Sequence, residues 1–236
     1  MLKTILVCLD QPKRADVLMQ AAVMLARKYD AHLIGLHTLE TLVVYPSVAM
    51  HIPDNAFASF KESQHAYLVE IKEVFDHHTK NEDFPSEWRT QGAAASSAAN
   101  RIVESARAAD LVIMAQEDPK IDRADQWHAP DKVIRRSGRP VLVNPPSYDG
   151  GDIGNNIVLG WSETREATRA AHDMLMIAQP GAQVAVLTVG PPADDDMSDF
   201  GANALAQTLD RHGLQARIVH RTPYAEKVAD VLNKEA

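Results

Sequence analysis

Cysteine is almost missing from this chain. A single Cys8 stands among 236 residues, so no intrachain disulfide can form and a reducing compartment is expected. Long apolar runs are missing too, and none approaches the ~20 residues that cross a bilayer. The opening Met1-Leu-Lys-Thr-Ile5 does not read as a secretory leader, because Asp10, Lys13 and Arg14 interrupt it at once. The expected location is the cytoplasm, with no membrane partner. There is no basic run and no basic patch interleaved with aromatics, and the formal net charge is −8. A phosphate backbone would have to bind against that field, so nucleic acid is not an expected partner.

Catalytic and metal-binding patterns are equally scarce. No His-x-x-x-His or Cys-x-x-Cys spacing occurs, and the adjacent His77 and His78 diverge by ~100° on a helix. No metal site is expected. Gly-x-Ser-x-Gly is absent, and Cys8 in mid-strand reads as a small core residue, not a reactive thiol. Asp194-Asp-Asp196, after Pro191-Pro192, reads as a solvated loop. No catalytic residue is assigned, and the chain is not expected to be an enzyme.

What is present is a pattern that starts twice. Ile5-Leu-Val-Cys-Leu-Asp10 is an apolar strand ending in a polar turn. A helical stretch from Ala15 to Tyr29 follows, and then a second strand, Ala31 to His37. About 150 residues later the order returns. Ile157-Val-Leu-Gly-Trp-Ser162 leads into helical Ala167 to Ile177 and the strand Ala182 to Thr188. Further apolar runs at Leu111–Met114 and Val141–Val143 have no counterpart before Ala236. Continuous apolar strands want burial on both faces, which indicates a parallel sheet covered by helices. Between the strands lie helical patterns at Ala56–His78, Ser97–Ala108 and Lys132–Arg136, the last ended by Gly138 and Pro140.

The alternation is that of a doubly wound α/β domain with right-handed crossovers. Turn formers crowd Asn144 to Asn155. The first domain is therefore set at residues 1–146, a linker at 147–155 and a second domain at 156–236. The second domain reads as strand (156–160), helix (164–178), strand (183–189), helix (198–212), strand (215–221) and helix (224–233). It lacks its last two strands, which would leave an open apolar edge on its first strand. Either the chain is cut short, or its tail continues past Ala236, or another chain covers that edge; the first two together are preferred.

These residues resemble the universal stress protein family in its tandem, two-domain form, over essentially the whole chain. Thr4-Ile-Leu-Val-Cys-Leu-Asp10 looks like the family's first strand with its acidic terminus, and Ala108-Ala-Asp-Leu-Val-Ile-Met-Ala115 like its fourth. Val133-Ile-Arg-Arg-Ser-Gly-Arg-Pro-Val-Leu-Val143 looks like its closing helix and fifth strand. Val158-Leu-Gly-Trp-Ser-Glu-Thr-Arg-Glu-Ala167 is similar to the strand-turn-helix of two-domain members. The resemblance implies five parallel strands in the order 3-2-1-4-5, a Rossmann-like arrangement, in each of two domains, the second one incomplete here.

The resemblance also implies where a ligand would lie. ATP-binding members carry G-x2-G-x9-G-[ST] after the fourth strand, whose side-chain-free backbone can point N–H groups at a phosphate. Here Ala115 stands at the first glycine and Asp118 at the second, and the closing pair falls on Trp127 to Ala129. Glu117, Asp118, Asp122 and Asp125 oppose Lys120 and Arg123, the wrong sign for a triphosphate. The first domain is expected not to bind ATP, and no cofactor is expected. ATP binding is left to any segment beyond Ala236, with a nucleotide-dependent signalling protein as the alternative function.

Asp10, His37, Ala115, Asp118 and His128 are the crevice candidates, with the ligand unknown. Asp10 can instead cap the helix starting near Pro12, as Ser96-Ser97 can cap the helix at Ser97–Ala108. The counterpart of Asp10 in the second half is Trp161, which makes the two crevices chemically different. ATP-pyrophosphatase relatives use Ser-Gly-Gly-x-Asp-Ser after the first strand; Asp10-Gln-Pro-Lys-Arg14 departs from it. The expected role is stress response by binding and self-association, as a homodimer through the strand at Pro140 to Asn144. A small-ligand carrier using Tyr45, Met50 and Phe57 is a weaker possibility.

Overall fold

Strand β1 (Thr4–Cys8) has a single half-buried residue, Thr4, and four buried ones. It runs between β2 (His32–Leu39) and β4 (Leu111–Ala115), pairing Ile5 with Leu33 on one side and with Leu111 on the other, in parallel. Strands β3 (Ser86–Gly92) and β5 (Val141–Asn144) complete a parallel sheet in the order β3-β2-β1-β4-β5. This is the expected order. The computed structural model describes residues 2–39, 53–92, 97–117, 128–190, 200–223 and 226–235.

Two helices cover each face of this sheet. Helix α1 (Pro12–Tyr29) starts with proline, whose missing N–H costs nothing there, and ends on Asp30 in the left-handed region at φ 48°. Arg27 and Lys28 in its last turn suit the helix dipole. It packs against α2 (Asp54–Thr79). On the other face α3 (Ala98–Ala106) and α4 (Ala129–Ser137) pack together. Beneath them Leu6, Cys8, Ile34, Leu36, Val112 and Met114 meet Ile102, Val103 and Val133. The opposite sides of the same strands face α1 and α2 by simple alternation. There Gly35 lies under the rings of Phe75 and Trp88.

Burial and the charge of nearby Asp10 push the Cys8 thiol well above its ordinary range. The thiolate is the reactive form. A maleimide at pH 8 should therefore leave folded protein unlabelled and label it on unfolding in urea; rapid labelling of the native chain would contradict this burial.

Residues Met1–Gly151 and Asp152–Ala236 form two compact units. In the second, β6 (Asn156–Gly160), β7 (Gln183–Val189) and β8 (Gln215–Arg221) make a parallel sheet of three, in the order β6-β7-β8. Helices α5 (Arg165–Asp173) and α6 (Phe200–Arg211) and the sheet enclose Leu159, Ala171, Val184, Val186, Leu205 and Leu209. On the other face Leu232 of α7 (Val228–Glu235) packs against Ala185, Leu187 and Val219. Among the described residues β6 has one strand neighbour, whereas β1 has two.

Several helix limits differ from the sequence reading. The helix expected at 164–178 closes at Asp173 and continues as one 3-10 turn, Met174–Met176. Thr164 caps its start, its Oγ1 accepting from the Ala167 N–H at 3.2 Å. The last helix begins at Val228, four residues later than 224; residues 224–225 lie outside the described set.

The residues just before the linker and those at its far end are each held in place. Arg14 donates to the carbonyls of Pro145 at 2.7 Å and Pro146 at 3.0 Å. Gln179 donates through its backbone N–H to Gly154 at 2.9 Å and through its side chain to Ile153 at 3.1 Å. Gly154 has φ +85° and lies against the Ile177 carbonyl, so a side chain there would both strain and clash. Each half of the linker thus belongs to its own unit.

Candidate functional site

In an open α/β sheet the crevice lies past the carboxyl ends of the strands, where successive crossovers turn to opposite faces. In the first unit that point falls between β1 and β4. Three chain segments arrive there: the end of β1 at Leu9 and Asp10, the end of β4 at Ala115 to Glu117, and the start of α4 at His128. The end of β2 adjoins from the side.

His37 is fully buried near the end of β2. Its Nδ1–H donates to the Leu9 carbonyl at 2.7 Å, which ties the end of β2 to the end of β1. Its ring also stacks with Trp88, centroids 6.5 Å apart and planes within 12°. Its Nδ1 edge is thereby committed to holding the two strand ends together. Asp10 is half-buried one residue further on. The N-cap of α1 is Gln11, with φ −133° and no side-chain cap bond, so the capping position is one residue later than expected for Asp10.

Ala115 ends β4, 7% exposed and paired with Asn144 of β5. The Gln116 N–H donates to the Asn144 carbonyl at 2.8 Å. Asp118 and Trp127 lie outside the described residues, as do Tyr45, Met50 and Asp194 to Asp196. His128 is described, and it is unusual. It sits at φ +58° in the left-handed region at the N-cap of α4, its side chain 82% exposed and its Nδ1 3.7 Å from Glu117 Oε2. The next residues, Ala129 and Pro130, open the helix.

Some participants were missed by the sequence reading. The guanidinium of Arg14, in the first turn of α1, gathers the carbonyls at the end of β5, including Asn144 at 3.5 Å. Lys132 of α4 donates from Nζ to Ser97 Oγ at 3.2 Å, linking the starts of α3 and α4. Ser97 does occupy the N-cap of α3, but its hydroxyl makes no cap bond. No periodicity signals either contact, since the partners are 130 and 35 residues apart. Among the described residues no cluster of His, Cys, Asp or Glu could hold a metal ion, and no helix is long and apolar enough to cross a membrane.

The family model of the universal stress proteins matches residues 1–145. The chain belongs to the universal stress protein family. Among solved structures, this universal stress protein is similar to one from Archaeoglobus fulgidus DSM 4304 at 12% identity and a TM-score of 0.62, over 93% of this chain and 77% of that one. That likeness is one of fold, and it extends through both units. Universal stress protein UspA from Lactobacillus plantarum aligns at 15% identity, over 60% of this chain and 97% of its own, with a TM-score of 0.45. A second Archaeoglobus fulgidus universal stress protein, solved in complex with dAMP, aligns at 16% identity over 60% and 96%, with a TM-score of 0.37. No curated protein matches the chain.

Proposed function

We propose that this universal stress protein acts in the stress response by binding and self-association in the cytoplasm, without turnover. Residues 1–146 act as a first domain that does not hold ATP, joined through 147–155 to a second universal stress protein domain at 156–236. The observation that carries the reading is the start of α4. A phosphate at a helix N-terminus needs backbone N–H donors with no side chain in the way. Here the first turn contains Pro130, which has no N–H, and the N-cap is His128, whose imidazole lies beside the Glu117 carboxylate. The end of β4 carries the buried methyl of Ala115 where the ATP-binding pattern has glycine.

Self-association is supported by β5. It is an edge strand with Val141, Leu142 and Val143 half-buried, and Ile134 of the adjoining α4 is 52% exposed. Unpaired edge backbone beside apolar side chains suits pairing with a second copy.

Mg-ATP tests the nucleotide part. A ligand at a hundredfold excess over its dissociation constant stabilises the folded state by about 2.7 kcal/mol. Thermal unfolding in millimolar Mg-ATP should match unfolding without it. A concentration-dependent rise in Tm would overturn the proposal for the first domain.

A further inference from the structure

The turn formers from Asn144 to Asn155 have the composition of a loose tether, yet most of them are fixed by contacts. Asn144, Pro145 and Pro146 present their carbonyls to Arg14 at 3.5, 2.7 and 3.0 Å. The chain then folds back on itself. The Tyr148 N–H donates to the Pro145 carbonyl at 3.1 Å, and the Tyr148 hydroxyl donates to the Gly151 carbonyl at 2.8 Å. Inside that turn Gly150 lies against α1. It has φ +98°, and a β-carbon there would overlap the side-chain oxygen of Gln20. The backbone conformation and the close approach both call for glycine.

The seat under Gly150 is itself held. Gln20 Nε2 donates to Asp16 Oδ2 at 2.8 Å, one turn earlier on α1, which leaves the Gln20 oxygen turned toward Gly150. From near the end of α2, His78 Nε2 donates to Asp16 Oδ1 at 2.8 Å. The bond from His78 holds the Asp16 carboxyl below its ordinary range, so it stays an acceptor for both donors. His78, Asp16, Gln20 and Gly150 thus form one row of contacts running from α2 across α1 to the linker.

Contacts with the second unit begin at Ile153. The Ile153 carbonyl accepts from the Gln179 side chain at 3.1 Å. Those of Gly154 and Asn155 accept from the backbone N–H groups of Gln179 and Gln183, each at 2.9 Å. The division between the two compact units falls between Gly151 and Asp152, both of them exposed.

We propose that residues 147–150 are a strap of the first unit, latched by Gly150 on Gln20, and that the linker turns only at Gly151 and Asp152. Two extended residues span roughly 7 Å, whereas residues 147–152 would span roughly 20 Å with the strap undocked. The latch therefore sets the free length of the tether, and with it the volume that a tethered unit can explore. This device depends neither on whether the first domain holds ATP nor on pairing through β5.

The test is 15N relaxation of the full chain, read as backbone order parameters. Values of about 0.85, those of rigid backbone, are expected at Tyr148–Gly150 and Ile153–Asn155, with values below about 0.6 at Gly151 and Asp152. Gly150→Ala should lower residues 147–150 to the values of the joint, with the amide shifts of β1 unchanged. Gln20→Ala removes the seat without touching the conformation of the strap, and should lower the same residues. The proposal is overturned by low order throughout 147–155 in the wild-type chain, by rigid values across Gly151 and Asp152, or by a strap that keeps its order in either variant.

Discussion

Gly35→Ala destabilises the first unit by about 1–3 kcal/mol, the usual cost of forcing a methyl into a filled core. Space decides this, not backbone freedom. A β-carbon on Gly35 would stand 2.6 Å from two ring atoms of Phe75 and 2.9 Å from Trp88. Neither ring can swing away cheaply. Phe75 is 3% exposed, and its ring packs against Trp88 at a centroid distance of 5.3 Å. Trp88 in turn stacks on His37, so the strain reaches the residue that ties β1 to β2. Urea unfolding should show a lower midpoint with an unchanged slope. Phe75→Leu, costly by itself, should recover part of the loss in the double variant, because the two positions share one space. An additive double variant would show that the rings are not what excludes the methyl.

A matched pair tests how differently the two sheets use their first strands. Ile5→Ala should cost about 2–5 kcal/mol, the range for deleting a fully buried aliphatic side chain. Ile5 has no exposed surface and is flanked by Leu33 on β2 and Leu111 on β4. Ile157 stands at the same place in β6, but among the described residues β6 pairs with β7 alone, and Ile157 is only half-buried. The same substitution there removes less buried area and leaves a smaller cavity. It should cost less than half as much. Equal losses, measured by urea unfolding of the two variants, would mean that the edge of β6 is covered in solution.

The reason these strands could be read from the sequence is the reason they are sensitive. A parallel strand buried on both faces must be apolar at every position, so Ile5 to Leu9, Leu111 to Met114 and Val184 to Val189 announce themselves. Strand β3 does not. Ser86-Glu-Trp-Arg-Thr-Gln-Gly92 is a polar edge strand with no fully buried residue, and the fold's alternation implied it where no apolar run did. Helix ends were less legible than helix bodies, because α5 passes into a 3-10 turn through Met174 with no glycine or proline to mark the change.

The candidate site divides along the same line. Asp10 and His37 were nameable as candidates because they stand at strand ends, where open α/β sheets bind ligands, and Ala115 because the resemblance sets it at the first glycine of the ATP-binding loop. The clamp from Arg14 to the residues just before the linker was not visible, nor was the bridge from Lys132 to Ser97. Each depends on segments far apart in sequence meeting at one end of the sheet. His128 could be named from its place in the loop, but its left-handed backbone could not, since positive φ is uncommon at any one non-glycine residue even though histidine is enriched there.

Self-association through β5 is the claim most directly open to measurement. Sedimentation equilibrium of the wild-type chain at micromolar concentration should give the mass of a dimer, twice 25.9 kDa. Leu142→Arg places a charge in the middle of that edge, a device that natural edge strands use against pairing. It should return the mass of a monomer with an unchanged circular dichroism spectrum. A monomeric wild type, or a variant that remains dimeric, would contradict the proposal that this universal stress protein works by pairing along β5.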